Sequence, residues 1–147
     1  YFILNYYTMS KTFVIGCDNY GYNTKMDVSR DIRFLNNPNF KIKDIGTHSL
    51  AVTSHEDVLQ LVNKLTDLIS KDEEPNTVFG IFISETGLEA SIYANKNSKI
   101  KCVNARSEHD VAIAKKKFNI NMVSIGVSFV SKFSINKIIE EIIKINS

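Results

Sequence analysis

Short apolar runs alternate with helical patterns along this chain, and no other feature limits its fold as strongly. The third run, from Val78 to Ile83, is almost continuously apolar, as expected for a strand that is covered on both faces. Alternating strands and helices favour right-handed βαβ units. We therefore predict an α/β fold, a Rossmann-like three-layer sandwich with a five-stranded parallel sheet. The predicted strands are Thr12–Ile15, Lys41–Ile45, Thr77–Ile83, Lys99–Val103 and Met122–Ile125.

Serine residues mark several of the predicted helix starts. Ser54 precedes a run whose apolar residues recur every three or four positions, and acidic residues follow it closely. Ser107 repeats this arrangement before a second helix, and Ser134 precedes the last one. The first helix should run from Asn23 to Leu35 and end before Pro38, because proline cannot continue a helix.

Length and charge narrow the class of protein. The chain has 147 residues and a formal net charge of +2, which suit a single domain and give no case for a nucleic-acid or membrane partner. Met9 resembles a natural start, so we expect one domain over residues 9–147, with residues 1–8 an N-terminal extension or an artificial remnant. The first residues lack the basic region of a signal peptide, and a cytoplasmic location is the default expectation. Cys17 and Cys102 lie in apolar runs, so we expect buried, unpaired side chains.

Ligands of parallel α/β sheets bind at the carboxyl ends of the strands. The turn of residues 84–89, Ser-Glu-Thr-Gly-Leu-Glu, follows the third predicted strand at such an end. A helix that begins near Gly87 leaves backbone N–H groups unpaired, and these suit a phosphate, a carboxylate or a developing oxyanion. An ordinary helix start capped by Thr86 explains the same residues, and the local sequence leaves both interpretations open.

The turn after the first strand places Asp18 between Gly16 and Gly21. An aspartate at a strand end either caps the following helix or hydrogen-bonds a sugar hydroxyl, and the local sequence does not choose between these roles. Both turns follow strands at the same predicted edge of the sheet, so we expect them to lie near each other.

Four segments taken together resemble the ribose-5-phosphate isomerase B family, which includes the galactose-6-phosphate isomerase subunits. Residues 16–25 resemble its opening Gly-x-Asp-His-x-Gly-Phe/Tyr-x-x-Lys, and residues 44–47, Asp-Ile-Gly-Thr, resemble its Asp-x-Gly-Thr. Residues 84–96 resemble its Cys-Gly-Thr-Gly-x-Gly-x-Ser-x-Ala-Ala-Asn-Lys, and residues 121–126 resemble its Asn-Val-Leu-x-x-Gly. The likeness runs from about Lys11 to the C-terminus, in order and at compatible spacing.

The resemblance implies interconversion of an aldose phosphate and a ketose phosphate, of the ribose 5-phosphate/ribulose 5-phosphate type or the galactose 6-phosphate type. A base moves a proton between C1 and C2 through an enediolate, backbone N–H groups stabilise the negative oxygen, and a second acid–base group opens the sugar ring. Neither a metal nor an organic cofactor is needed. We expect the catalytic residues to be Glu89, Glu85, Ser84 and Asp18. We expect the substrate-binding residues to be Asn19, Thr86, Gly87, Leu88, Ser91, Lys117 and Arg106.

The basic residues near these segments either belong to the site or have an ordinary surface role. Lys117 and Arg106 suit a phosphate, but Lys117 also belongs to a run of three lysines that fits a solvated helix face. His48 and His55 follow the second strand and could approach the site, whereas His109 lies in the first turn of a later helix. An ordinary polar surface role is the alternative for each histidine.

Ser84 stands where the family has the cysteine that usually serves as base, which leaves three functional hypotheses. The first is an active isomerase with a rearranged site, with Glu89 or Glu85 as base and Asp18 on the sugar. The second is a catalytically degenerate subunit that works with a related chain, and the third is a sugar-phosphate-binding regulatory protein that kept the fold. The family's site lies at a dimer interface, so the resemblance implies a homodimer or tetramer, or a hetero-oligomer with a related chain. A phosphoacceptor receiver domain is set aside, because it needs an aspartate where Ser84 ends the third strand.

Overall fold

The computed structural model describes residues 10–71 and 76–147, and five parallel strands form its sheet. Their bounds are β1 (Lys11–Cys17), β2 (Phe40–Gly46), β3 (Val78–Ser84), β4 (Cys102–Asn104) and β5 (Met122–Gly126). The strands lie in the order β2-β1-β3-β5-β4, and every neighbouring pair is parallel. The predicted α/β fold with a five-stranded parallel sheet is therefore confirmed. The expected extension of residues 1–8 and the start at Met9 lie outside the described residues.

Helices cover both faces of this sheet. Within the described ranges they are α1 (Tyr22–Ser29), α2 (Ile32–Leu35), α3 (His55–Ser70), α4 (Leu88–Asn95), α5 (Glu108–Phe118) and α6 (Lys132–Ile145). Buried side chains of α3 and α4 join one core cluster, and those of α1, α2, α5 and α6 join the other. The molecule thus has three layers, and none of the described helices is long and apolar enough to cross a membrane.

β3 lies at the centre of the sheet, because β1 and β5 both pair with it. Its residues from Phe79 to Ser84 are all buried. Phe79 packs in the cluster beneath one helical layer and Phe82 in the cluster beneath the other. Burial on both faces explains why this strand has an almost continuously apolar sequence.

The first helical stretch forms two helices, so the prediction of one helix from Asn23 to Leu35 was wrong. α1 ends at Ser29, and α2 begins after Asp31, whose carboxylate accepts a hydrogen bond from the N–H of Arg33 at 2.9 Å. Aspartate competes for backbone N–H groups in this way, which favours a cap over a helix interior.

The start of α6 and the bounds of β4 also differ from the predicted ones. Ser131 caps α6 by accepting a hydrogen bond from the N–H of Ser134 at 3.1 Å, so Ser134 lies inside the first turn instead of preceding the helix. β4 covers only Cys102–Asn104, whereas the apolar run predicted a strand over Lys99–Val103.

The two cysteines are unpaired, as predicted, although their burial differs. Cys17 is buried and Cys102 is half-buried at the residue level. Burial raises the pKa of the Cys17 thiol to about 11 and the pKa of the Cys102 thiol to about 12. Both thiols are therefore protonated at neutral pH, which suits apolar packing and not nucleophilic chemistry.

Candidate active site

Loops that follow β3 and β5 meet at the carboxyl edge of the sheet. The N–H of Val127 donates a hydrogen bond to the carbonyl of Ser84 at 2.9 Å. Gly126 permits this approach, because a Cβ at its position would lie 2.1 Å from the carbonyl oxygen of Thr86. The loop after β5 therefore supports the turn of residues 84–89 from one side.

Gly87 joins this turn to α4 in a left-handed conformation, with φ at +74°. A Cβ at this position would also lie 2.4 Å from Oδ1 of Asn104. Both features favour glycine, since other residues rarely adopt such a φ and none would fit beside Asn104 without a shift. The helix begins at Leu88, so the predicted start near Gly87 is confirmed.

No side chain caps the start of α4. The hydroxyl of Thr86 accepts a hydrogen bond from the N–H of Leu88 at 3.2 Å, but the cap position itself belongs to Gly87. Among the described residues, no acceptor pairs with the backbone N–H groups of Glu89 and Ala90. Such N–H groups at a helix start favour negative charge, so this turn suits an anion or an oxyanion.

Ser84 closes the turn from within. Its side chain is buried, and its hydroxyl oxygen accepts a hydrogen bond from the N–H of Gly87 at 3.1 Å. In the described part of the chain, no histidine, lysine or carboxylate is hydrogen-bonded to this hydroxyl. A serine without a basic partner stays protonated at neutral pH, so the local contacts give Ser84 a structural role.

Asp18 connects the loop after β1 to the turn after β3. One carboxylate oxygen accepts from the N–H of Gly21 at 2.9 Å, and the other accepts from the N–H of Glu85 at 3.0 Å. Burial raises the pKa of the Asp18 carboxyl, and these N–H groups oppose that rise. The two turns that the sequence placed at one edge are thus joined by a single side chain.

Glu89 projects from the first turn of α4 towards α3. Its Oε1 accepts a hydrogen bond from the hydroxyl of Tyr93 at 2.8 Å and lies 2.8 Å from Nδ1 of His55. The hydrogen bond to Glu89 raises the pKa of Tyr93. Glu89 therefore has a fixed position at the rim of the turn, and its second oxygen has no partner among the described residues.

Other residues expected at this turn lie there with simpler contacts. The side chains of Glu85 and Leu88 are exposed, and the carboxylate of Glu85 forms no hydrogen bond within the described ranges. The hydroxyl of Ser91 donates to the carbonyl of Leu88 at 2.9 Å, so it is engaged within the helix.

Asn19 fastens the loop between β2 and α3. Its side-chain oxygen accepts from the N–H of Thr53 at 3.1 Å, and its own N–H donates to the hydroxyl of Thr53 at 2.9 Å. Asn19 was expected to bind substrate, but these contacts use its oxygen and its backbone to position the segment that leads into His55.

Lys25 holds the same loop from beneath the surface. This side chain is fully buried, and its Nζ donates to Oδ1 of Asp44 at 2.8 Å and to the carbonyl of Thr47 at 2.7 Å. A buried ammonium needs such partners to offset the loss of water. Lys25 thus ties α1 to the end of β2 and to the loop that follows it.

Arg106 and Lys117 occupy opposite ends of the sheet within one chain. Arg106 follows β4 at the carboxyl edge, where its guanidinium lies 4.9 Å from the ring centroid of Phe129. Lys117 is exposed near the end of α5, which runs back to the amino edge before β5 begins. The structure therefore does not bring Lys117 to the other expected site residues, because the whole length of α5 separates them.

The sequence indicated only that His55 could approach the site, and it gave Tyr93 no role there. Tyr93 is four residues after Glu89, and this spacing places both on one helix face. The pairing of His55 with Glu89 joins two helices, so no local pattern could have revealed it. Within the described residues, no cluster of histidine, cysteine and acidic side chains could hold a metal ion.

Residues 13–146 match the family model described as Ribose/Galactose Isomerase, a span that includes every part of this site. The chain belongs to this family. It is 31% identical over 130 residues to a protein of Rickettsia typhi named as a candidate sugar phosphate isomerase, with 88% of this chain and 81% of that protein covered. A similarly named protein of Rickettsia conorii is 28% identical over 128 residues, with 87% and 83% covered.

Solved structures of relatives have the same fold. Ribose-5-phosphate isomerase B of Clostridium thermocellum has a TM-score of 0.75 at 24% identity, over 88% of this chain and 82% of that chain. The Mycoplasma genitalium enzyme with bound ribulose-5-phosphate has a TM-score of 0.74 at 23% identity, over 92% and 85%. At these identities the likeness establishes the fold.

Proposed function

We propose that this chain is an aldose–ketose isomerase that acts on a sugar phosphate at the turn of residues 84–89, through an enediolate. The observation that carries the proposal is the carboxylate of Glu89, which lies in the first turn of α4 beside a helix start without a side-chain cap. Membership of the ribose/galactose isomerase family supports this class of reaction. The proposed substrates are of the ribose 5-phosphate/ribulose 5-phosphate type or the galactose 6-phosphate type.

Glu89 is the proposed base for the carbon-bound hydrogen. Its Oε1 is occupied by Tyr93 and His55, which leaves Oε2 to remove the hydrogen from C2 and return it to C1. Backbone N–H groups of Glu89 and Ala90 would stabilise the oxygen that becomes negative in the enediolate. Glu85 is the alternative base, because its exposed carboxylate belongs to the same turn.

Asp18 and Arg106 would hold the rest of the substrate. Each carboxylate oxygen of Asp18 accepts one backbone N–H and has capacity for another donor, such as a sugar hydroxyl. Arg106 forms no ion pair with a carboxylate in the described part of the chain, so its guanidinium is available to a phosphate.

An isomerase assay of the purified chain tests this function with ribose 5-phosphate, allose 6-phosphate and galactose 6-phosphate. We expect turnover of at least one of them, and a loss of about 100-fold or more in kcat for Glu89→Gln. Glu85→Gln is the matched control, with kcat expected within a few fold of the unchanged chain. The reverse ranking of the two variants would transfer the role of base to Glu85. Absence of turnover with all three substrates would contradict an isomerase that works alone.

A catalytically degenerate subunit or a sugar-phosphate-binding regulatory protein is the second candidate. The contacts of Ser84 favour it, because this hydroxyl supports the turn where the family resemblance expects a basic thiolate. Tight binding of a sugar phosphate without turnover would support a regulatory role. Turnover that appears only after a related chain is added would support the subunit role and a hetero-oligomer.

A further inference from the structure

His55 and Glu89 form a pair across two helices at the rim of the turn. Nδ1 of His55 lies 2.8 Å from Oε1 of Glu89, although His55 is the first residue of α3 and Glu89 belongs to α4. The side chain of His55 is 90% exposed, whereas that of Glu89 is only 30% exposed. The pair therefore presents the outer edge of the imidazole to an approaching solute, and the carboxylate beside it stays partly accessible.

Two sets of contacts hold the backbone of His55 at this place. The paired hydrogen bonds of Asn19 and Thr53 fix the chain just before it. Ser54 and Asp57 form a capping box, in which each side chain accepts from the other's backbone N–H, at 3.1 Å and 3.0 Å. His55 follows this cap directly, so its backbone cannot move without breaking the start of α3.

The contact with Glu89 also sets which ring nitrogen carries the hydrogen. An ionised carboxylate can only accept, so Nδ1 of His55 bears the hydrogen that is donated to Oε1. In the neutral imidazole, Nε2 then has a free lone pair on the exposed side of the ring. Nε2 is thus the nitrogen of His55 that can accept a hydrogen bond from a hydroxyl of a bound sugar.

The proposed reaction has a second proton transfer that Glu89 does not account for. Conversion of an aldose to a ketose moves one hydrogen from C2 to C1 and another from O2 to O1. Glu89 supplies the carbon transfer, because its free Oε2 takes the hydrogen from C2 and delivers it to C1. General acid–base catalysis of the transfer between the two oxygens calls for a group that can reach both of them.

We infer that His55 carries the proton from O2 to O1 of the enediolate, an assignment that rests on the proposed isomerase function. Nε2 removes the proton from O2, the C2–O2 bond becomes double, and the electron pair of the C1–C2 double bond takes the hydrogen from Glu89 at C1. O1, which became negative when C2 lost its hydrogen, receives the proton from Nε2. The ring ends neutral, as it began, so atoms and charge balance.

Deuterium exchange separates this role from a structural one. A sugar phosphate that the chain turns over is incubated in D2O, and NMR measures deuterium at C2 of the remaining aldose together with formation of the ketose. His55→Gln retains Glu89, so we expect it to keep exchange at C2 within a few fold while net turnover falls by about 100-fold. His55→Asn, whose amide can still donate to Glu89, should behave in the same way because it lacks Nε2. His109→Gln is the matched control, since His109 is also an exposed histidine in the first turn of a helix, and it should match the unchanged chain.

Two results would overturn the role of His55 and leave the proposed isomerase function standing. One is a parallel loss of exchange and turnover in His55→Gln, which would mean that His55 only holds Glu89 in place. The other is full turnover in His55→Asn or His55→Gln, which would mean that Nε2 is not used. No exchange and no turnover in the unchanged chain with every sugar phosphate would instead overturn the proposed function, and the inference with it.

Discussion

α3 and α4 begin at the same edge of the sheet, but their first turns are built in opposite ways. At α3, the capping box of Ser54 and Asp57 pairs backbone N–H groups with side chains of the helix itself. At α4, Gly87 occupies the cap position without a side chain, and the next turn leaves N–H groups without an acceptor. A capped start stabilises its helix, whereas an uncapped start leaves binding capacity for something outside the chain.

This difference explains why the two helices play complementary roles at the rim. α3 provides a rigid start that presents His55, and α4 provides the open start that carries Glu89. The contact between His55 and Glu89 joins the capped start of α3 to the uncapped start of α4. A second capped start, at Ser107 before α5, places His109 beside Glu108 at 3.7 Å, with no partner from another helix among the described residues. Similar local sequences therefore lead to different side-chain contacts according to which helix lies beside them.

We expect Gly87→Ala to give the largest effect, because the added Cβ would disturb the helix start that has no side-chain cap. The backbone penalty of a left-handed alanine is about 1–3 kcal/mol, and its Cβ would collide with Oδ1 of Asn104. We expect a lower free energy of unfolding in urea and loss of sugar-phosphate binding by calorimetry. Ser54→Ala at the capped start should lower the free energy of unfolding by only about 1 kcal/mol. Unchanged sugar-phosphate affinity in Gly87→Ala would contradict the distinction between the two starts.

Asp18→Asn should weaken the link between the loop after β1 and the turn of α4. The asparagine keeps one acceptor oxygen, so the N–H of Gly21 or of Glu85 loses its partner, at a cost of about 1–3 kcal/mol. Urea unfolding at neutral pH measures this loss. A variant as stable as the unchanged chain would show that the carboxylate does not hold the turn.

The unchanged chain and Asp18→Asn should also differ in how the free energy of unfolding depends on pH. Burial raises the pKa of Asp18 in the folded chain, so between the unfolded and the folded pKa the native state binds more protons than the unfolded state. The free energy of unfolding therefore falls as pH rises through that range, and Asp18→Asn lacks this slope. The stability gap between the two proteins should widen as pH falls, and a gap that narrows would contradict the raised pKa.

Arg106→Met and Lys117→Met test the two ends of the sheet. Their expected effect, on sugar-phosphate affinity, is the smallest of those predicted. Removing the guanidinium at the carboxyl edge should weaken binding of a sugar phosphate about 10-fold, or about 1.4 kcal/mol. Lys117→Met should leave affinity unchanged in a chain on its own, because Lys117 lies towards the amino edge. Calorimetric titration at constant ionic strength measures both, and a larger effect of Lys117→Met would reverse the assignment.

Much of the fold could be predicted because buried strands and helix faces have recognisable apolar patterns in the sequence. β3 is almost continuously apolar because both of its faces are covered, and this run predicts a buried strand. The errors fall where two local signals compete. Ser131 and Ser134 are both possible caps for α6, and Asp31 interrupts a helical pattern that periodicity alone continues. Tertiary packing decides such cases, and a single sequence does not contain it explicitly.

The site was only partly predictable, for a related reason. The turn around Gly87 could be located because it follows a buried strand at the carboxyl edge of the sheet, whereas the local sequence did not distinguish an anion site from an ordinary helix start. The contacts of Asp18 and Asn19 with distant backbone groups depend on which loops meet at the edge, and no spacing in the chain encodes that. The pairing of His55 with Glu89 is the clearest case, since it requires the relative position of two helices.

Transfer of the carbon-bound hydrogen at the turn of residues 84–89 can be observed by NMR in D2O with ribose 5-phosphate, allose 6-phosphate and galactose 6-phosphate. If Glu89 removes the hydrogen from C2, the unchanged chain will introduce deuterium at the C1–C2 unit of at least one of these sugars, and Glu89→Gln will introduce none at the same protein concentration. Deuterium incorporation that persists in Glu89→Gln, or none with any of the three sugars in the unchanged chain, would contradict an enediolate formed by Glu89.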